Sequence, residues 1–378
     1  MDYHATTPCD PRVVDCMLPY FYQEFGNPAS AVHPYGLHAK EAVETARAQV
    51  AQLAGAESGE VIFTSGATEA INTVLQGIAH KKPLRDLHIV TCITEHAATL
   101  DTCKYLQSRG ARITHLKVDC HGRINLDDIR SALNDRPTIL SLLHANNEIG
   151  VISPIEEIST ICKEKGVLLH VDAAQSFGKI PVRLREWGVD FLSASSHKMY
   201  GPKGVGALMI RRQIPPLRIL PLIHGGGHER GLRSGTINVP GVVGFGKAAE
   251  ICEKEMMDEQ TRVLEMRNAL LTGLQANIPG LKINGDLNQR LPGNLNISLP
   301  DINGTMLLPE LRSSLSVSSG SACQSSNPVP SHVLEAIGRT PEEAFSSIRF
   351  GLGRFSDSSQ IGATIQAVTS CYHKLRNS

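Results

Sequence analysis

Short apolar runs alternate with stretches of three- and four-residue periodicity over roughly the first 250 residues. The runs VIFTS (61–65), HIVTC (88–92), TILSLLH (138–144), VLLHVD (167–172), DFLSAS (190–195) and VGALMI (205–210) read as strands. Most are nearly continuous in their apolar character, the signature of strands covered on both faces. Between them, Ala39, Ala42, Val43, Ala46, Val50 and Leu53 fall on one side of a helix spanning 38–54. Residues 68–80, 97–109 and 155–165 show similar periodicity. Strand and helix repeated in this way predict a parallel sheet with helices on both faces. After that region the pattern changes to a long charged helix (250–276), strands at 294–299 and 314–319, a turn-rich loop and a further helix pair. This second part reads as a smaller α+β domain. The stretches GPKGVG (201–206) and HGGGHERG (224–231) fall between elements as loops.

At 378 residues the chain is longer than one compact core usually holds, and its 41% hydrophobic content can fill two. Lys plus Arg and Asp plus Glu both number 37, for a net charge of zero. That balance suggests no polyanion partner, so no direct nucleic-acid binding is expected. The nine cysteines are scattered without a CxxC pair, which favours neither a disulfide framework nor a zinc site. Free thiols fit a reducing compartment. The start, MDYHATTPCDP, has no secretory pattern, and no apolar run reaches the ~18 residues that span a bilayer. A cytoplasmic protein is expected.

The candidate chemistry lies just past the strands. Lys198, in SSHKMYGPKG, follows an apolar strand beside Ser195 and His197. A desolvated lysine amine can form a Schiff base with a carbonyl cofactor, although a lysine at a loop start is also a common surface feature. Asp172, in HVDAAQS, ends another strand. It suits a protonated pyridine nitrogen, and equally a helix N-cap. SGATEA (65–70) feeds a helix N-terminus, where Ala67 and Thr68 could meet a phosphate. His96, in TEH, could stack on a planar cofactor and carry protons. Asn146 and Asn147 supply amides after a further strand. Each signal alone is weak. Together they place a phosphate turn, histidine, asparagine, aspartate and lysine at the ends of separate strands, the edge where open α/β sheets bind ligands. His224 and His228 stand four apart, but the three glycines between them argue against a helix. No metal site is expected there, and a loop at a dimer interface is the preferred reading.

SGATEA, TEH, NNEIG, HVDAAQS, SSHKMYGPKG, GGGHERGLRSGT, SSGSAC and SSIRFGLGRF, in this order, resemble the cysteine desulfurases of the NifS/IscS type, on the class V branch of the aminotransferase fold. The resemblance runs from DYHATTP at residue 2 to GRF at 353–355. It implies a transferase with the aminotransferase fold of type I that depends on pyridoxal 5'-phosphate (PLP), with a large domain carrying a mainly parallel seven-stranded sheet over 8–256. A smaller domain from 1–7 and 257–378 would carry a mobile Cys323 loop. By the same resemblance Lys198 holds PLP and Asp172 pairs with its ring nitrogen. Gln175 and Asn147 contact the ring oxygen or the substrate, and His96 stacks on the ring and carries a proton. Ala67, Thr68, Ser195 and His197 bind the phosphate, and Thr236 reaches the phosphate of a partner subunit's cofactor, which implies a homodimer. Asn27 and Arg349 hold the substrate carboxylate. Cys323, in the Ser- and Gly-rich SSGSACQSSNPVPS, attacks the sulfur of L-cysteine and keeps it as a persulfide, leaving L-alanine. A persulfide acceptor follows, either an iron–sulfur scaffold or a thiolation protein. Housekeeping members run on past GRF with an extension that helps dock the scaffold, whereas this sequence ends at Ser378, so that partner is the less strongly implied. A selenocysteine lyase or a class V aminotransferase is the alternative on the same fold. A non-catalytic sulfur carrier is disfavoured, because the lysine, aspartate and arginine are all present.

Overall fold

The computed structural model describes residues 1–80, 83–135, 137–319 and 329–377. Seven strands form its first sheet: β1 (Val61–Thr64), β2 (His88–Cys92), β3 (Arg112–Leu116), β4 (Ile139–Leu143), β5 (Leu168–Asp172), β6 (Phe191–Ser195) and β7 (Gly206–Ile210). Their spatial order is β1-β7-β6-β5-β4-β2-β3. All run parallel except β7, which is antiparallel to both β1 and β6.

β2, β4 and β6 are buried at every position, as unbroken apolar runs require when helices cover both faces. Successive side chains alternate between two cores. Val61, Phe63, Val90, Leu140, Ala207 and Met209 pack on one side, with Val43 and Val50 from the helix Pro34–Ala54. Ile62, Ile89, Ile139 and Leu208 pack on the other, with Ile71, Val74 and Leu75 from the helix Ala67–Ala79. Each fully buried aliphatic side chain contributes about 1.5–3 kcal/mol.

The sequence pattern misses β3. It lies at the sheet's edge with its first four residues at least partly exposed, so RITHL carries no continuous apolar signal. The expected charged helix is longer than its pattern suggests and runs Val239–Asn277. Its first turns, VPGVVGFGKAA, are glycine-rich because they press against Pro34–Ala54. A Cβ on Gly246 would stand 2.5 Å from the Ala46 Cα. This helix passes from the first core, through Phe245, Ala249 and Cys252, to another containing Val263, Met266, Leu270 and Leu274.

Four antiparallel strands complete that further core: β8 (Lys282–Ile283), β9 (Asn294–Ser298), β10 (Ser318–Ser319) and β11 (Ser347–Gly351), in the order β10-β11-β9-β8. The strand expected over 314–319 shortens to Ser318–Ser319. Leu295, Ile297, Ile348 and Phe350 point into the core, with Tyr372 and Val368 of the helix Ser359–Arg376. Strand alternation then turns Asn294, Asn296 and Arg349 to the opposite face, which packs on the turn after β4. There Asn294 and Asn296 both donate to the Glu148 carbonyl, at 3.1 and 3.2 Å.

Candidate active site

β1, β2, β4, β5 and β6 all end at one edge of the large sheet. A cavity of about 540 Å³ opens there, a size that suits a small cofactor. Ala67, Thr68, His96, Asn147, Asp172, Gln175, Ser195, His197 and Lys198 line it, together with Ala5, Thr6, Ser65, Gly66, Glu69 and Lys203.

Lys198 follows β6 in a single 3-10 turn, Ser196–Lys198. Its Nζ donates to the carbonyls of His4 and Ala5 at 2.6 and 2.8 Å. Burial, reinforced by the Arg349 charge, lowers its pKa from 10.5 to about 8. A sizeable share of the amine is therefore neutral near pH 8 and able to act as a nucleophile or base. Asp172, on the adjacent β5, is 2% exposed and accepts the Ala174 N–H at 2.9 Å. Burial raises its pKa, opposed by the charges of His96 and Lys198. A carboxylate in this position needs a cation beside it, and a protonated pyridine nitrogen is such a group.

His96 caps the helix Ala97–Ser108 through Nδ1, which accepts the Ala98 N–H at 3.1 Å. Nδ1 is thus occupied as an acceptor, which leaves Nε2 as the nitrogen that can carry a proton toward the cavity. At the other end of the cavity, no side chain caps the helix Ala67–Ala79, because Gly66 occupies the N-cap position. First-turn N–H groups and the positive end of the helix dipole face the cavity there, as a phosphate requires. Gly206 of β7 lets this turn lie close, since a Cβ on it would stand 2.6 Å from the Gly66 Cα. His197 shares a hydrogen bond with the Thr6 hydroxyl at 3.0 Å. Burial, then the charges of Lys198, Lys203 and Lys179, lower its pKa to about 4, so it is neutral.

The Gln175 amide is held at both ends. Its Nε2 donates to the His4 carbonyl at 2.9 Å. Its Oε1 receives the Lys179 amine at 3.3 Å and lies 3.3 Å from His4 Nδ1. Burial, then the Lys198 charge, lowers the Lys179 pKa to about 7. A planar, phosphate-bearing pyridine fits this donor set: an anion end at a helix terminus, an amine at the centre and a buried carboxylate opposite a ring nitrogen.

Not every expected residue lines the cavity. Arg349 reaches its rim by donating to the Asn147 carbonyl at 2.9 Å. Asn27 is exposed, and its side chain accepts the Ala29 N–H at 3.0 Å. Thr236 is exposed too, although its loop is tied to the phosphate turn where Arg233 pairs with Glu69 at 3.0 Å. Asn146 serves the turn itself, donating to the Thr94 carbonyl and accepting the Glu148 and Ile149 N–H groups. Cys323 lies outside the described residues. Burial pushes the thiols of Cys92, Cys103 and Cys162 up to about 11, 12 and 12, as expected of core cysteines. His224 and His228 sit in a loop, and His228 Nδ1 accepts the Gly235 N–H at 3.2 Å. Among the described residues no group of three His, Cys, Asp or Glu side chains could hold a metal ion.

Periodicity and spacing gave no signal for His4, Ala5, Thr6 and Lys179. DYHATTP is polar and lies far along the chain from Lys198 and Gln175, so only tertiary contact reveals its part in the site.

The aminotransferase class-V family model matches residues 1–363. The chain is 49% identical over 376 residues to the cysteine desulfurase IscS of Anaeromyxobacter sp. (strain Fw109-5), covering 100% of this chain and 93% of that one. Among solved structures, a NifS-like protein superposes with a TM-score of 0.92 at 37% identity, covering 99% of both chains. SspA, solved in complex with cysteine, superposes with a TM-score of 0.80 at 32% identity, covering 94% of this chain and 99% of that one.

Proposed function

We propose a division of labour that proceeds from one premise: the chain belongs to the class V aminotransferase family and, within it, is a PLP-dependent cysteine desulfurase. When bound, PLP supplies an electron sink for the bond changes at the substrate's Cα and Cβ. Lys198 would hold it through Nζ and would be the base for the Cα proton. Asp172 would keep the ring nitrogen protonated. Ala67, Thr68, Ser195 and His197 would hold the phosphate, and Gln175 and Asn147 would address the ring oxygen and the substrate. His96 moves a proton at the substrate thiol through Nε2. Arg349 and Asn27 receive the substrate carboxylate. Cys323, as the thiolate, attacks the substrate sulfur. A new S–S bond forms as the Cβ–S bond breaks, its electron pair stays with the carbon fragment, and protonation at Cβ with return of the Cα proton from Lys198 gives alanine. The observation that carries this reading is Asp172 at the end of β5 and Lys198 in the turn just past the neighbouring β6, facing one cavity that ends at an uncapped helix N-terminus.

Two domains, 8–256 and 1–7 with 257–378, accord with the separate cores. A homodimer, with Thr236 reaching the partner's phosphate, is supported by the exposure of Phe21, Tyr22, Phe25, Val32 and Tyr35 near the N-terminus. The persulfide passes to an acceptor protein for iron–sulfur assembly or thiolation, in the cytoplasm. No helix among the described residues is long and apolar enough to cross a membrane.

The test is to incubate the PLP-loaded enzyme with L-cysteine and dithiothreitol, and to quantify alanine and sulfide beside a Cys323→Ser variant. Equal yields from the parent and background from the variant are expected. Alanine formed at the parental rate by Cys323→Ser would remove Cys323 from the mechanism. Turnover of an amino donor with an α-keto acid, or a strong preference for selenocysteine, would point to the other activities of this fold.

A further inference from the structure

Arg349 stands mid-strand on β11, emerging on its polar face. Its two terminal nitrogens are taken by the protein: Nη1 donates to the Asn147 carbonyl at 2.9 Å and Nη2 to an Asp2 carboxylate oxygen at 3.0 Å. Its Nε is buried and has no hydrogen-bond partner. The other Asp2 oxygen accepts the Ser318 hydroxyl at 2.7 Å, and Ser318 lies directly opposite Arg349 in the β10–β11 register. Asp2 is held by its backbone as well. It bridges to Gly351, with the Gly351 N–H on the Met1 carbonyl and the Tyr3 N–H on the Gly351 carbonyl.

An arginine side chain has several rotatable bonds, and ordering them costs entropy at the moment a ligand binds. Two fixed acceptors on the terminal nitrogens remove most of that freedom beforehand. They also decide which edge of the planar fork is left with an unpartnered proton. Here it is the edge bearing Nε–H, which can join an Nη proton in a side-on, two-bond pairing with a carboxylate.

We propose that Asp2 is a positioning residue for substrate binding: with the Asn147 carbonyl it orients Arg349 so that the Nε edge meets the carboxylate of the incoming amino acid. This rests on the reading of Arg349 given above. Position and charge act in opposite directions at Asp2. Its two acceptor oxygens orient the fork, while its negative charge lies beside the guanidinium and opposes a second carboxylate. The two contributions separate by substitution. Asp2→Ala removes both, and Asp2→Asn keeps an acceptor oxygen while removing the charge.

The experiment uses the PLP-loaded enzyme and reads KM and kcat for L-cysteine, together with the dissociation constant for L-alanine from the visible absorbance of the bound cofactor. Asp2→Ala should raise KM and the alanine constant about tenfold, the loss of one charge-assisted hydrogen bond's worth of orientation, with kcat within about threefold of the parent. Asp2→Asn should bind alanine as tightly as the parent or more tightly, and Ser318→Ala should weaken it less than Asp2→Ala does. Arg349→Lys serves as the control and should raise both constants more than any of these. An unchanged KM in Asp2→Ala while Arg349→Lys is impaired would overturn the proposal and leave the arginine's role standing. Unimpaired binding in Arg349→Lys would remove the reading beneath it. Should Asp2→Ala fail to fold, Asp2→Asn decides alone, and a tenfold loss of alanine binding there would sink the idea.

Discussion

The two walls of the active site are built by different rules. The cofactor wall is an edge where strands of one sheet end together, and almost every group on it stands within a few residues of a buried strand. The second wall is the polar face of β11 and β9, packed on the turn after β4 at the cavity's rim, and its contacts join residues far apart in sequence. Arg349 meets Asn147 and Asp2, while Asn294 and Asn296 meet Glu148. On the first wall the strands themselves set the geometry. On the second, side-chain hydrogen bonds across an interface set it. Substitutions on the first wall should therefore act on chemistry, and substitutions on the second on the recognition of substrate.

The sharpest break in that contrast would come from Lys198→Ala. It should lower alanine formation by about 10³-fold or more, since on the proposed mechanism it removes both the attachment and the base, and it should abolish covalent retention of PLP after borohydride treatment. Parental turnover in this variant would move the chemistry off the cofactor wall. Next is Asp172→Asn, expected to cost about 10²-fold in kcat with little change in KM, because the lost charge acts on the ring nitrogen rather than on the substrate's carboxylate. A rise in KM alone would make the two walls functionally alike. The smallest effect concerns pH. Lys198 has its pKa lowered to about 8, so its neutral fraction, and with it the rate of PLP uptake by the cofactor-free protein, should rise about tenfold between pH 7 and pH 9 and then level off. A lysine left at 10.5 would give about a hundredfold rise over the same range, still climbing at pH 10. Uptake measured by absorbance across that range separates the two.

The same difference decides what could be read from the sequence. The cofactor wall was legible because buried parallel strands announce themselves as apolar runs, and the residue just past each run is the one at the sheet edge. Lys198, Asp172, Asn147, His96 and the turn at Ala67 all follow that logic, and the structure brings them around one cavity. β3 was not legible, since an exposed edge strand needs no continuous apolar run. Nor was the start of Val239–Asn277, where close packing selects glycine and erases the helical period. The second wall was legible only through resemblance. Nothing local to Asp2 or His4 shows that the chain's first residues return to β11 and to Lys198, because such contacts are fixed by tertiary packing. Asn27 and Thr236 remain exposed on the single chain, a placement that strand periodicity does not address.

The helix Val239–Asn277 lends its two halves to different cores. At 1.5 Å per residue its 39 residues make a rod about 58 Å long. A rod of that length is a lever. A tilt of two degrees about one end moves the other by about 2 Å, more than the tolerance of a hydrogen bond. The fulcrum is therefore what needs bracing, and the braces are found between the two cores. Glu259 accepts both the Tyr200 hydroxyl and Arg354 Nε at 2.9 Å, Arg354 pairs with Asp10 at 2.9 Å, and its guanidinium lies over the Tyr200 ring. In mechanical terms the distance between the Lys198 amine and the Arg349 guanidinium is held at the pivot, through Tyr200 two residues from one and Arg354 five residues from the other.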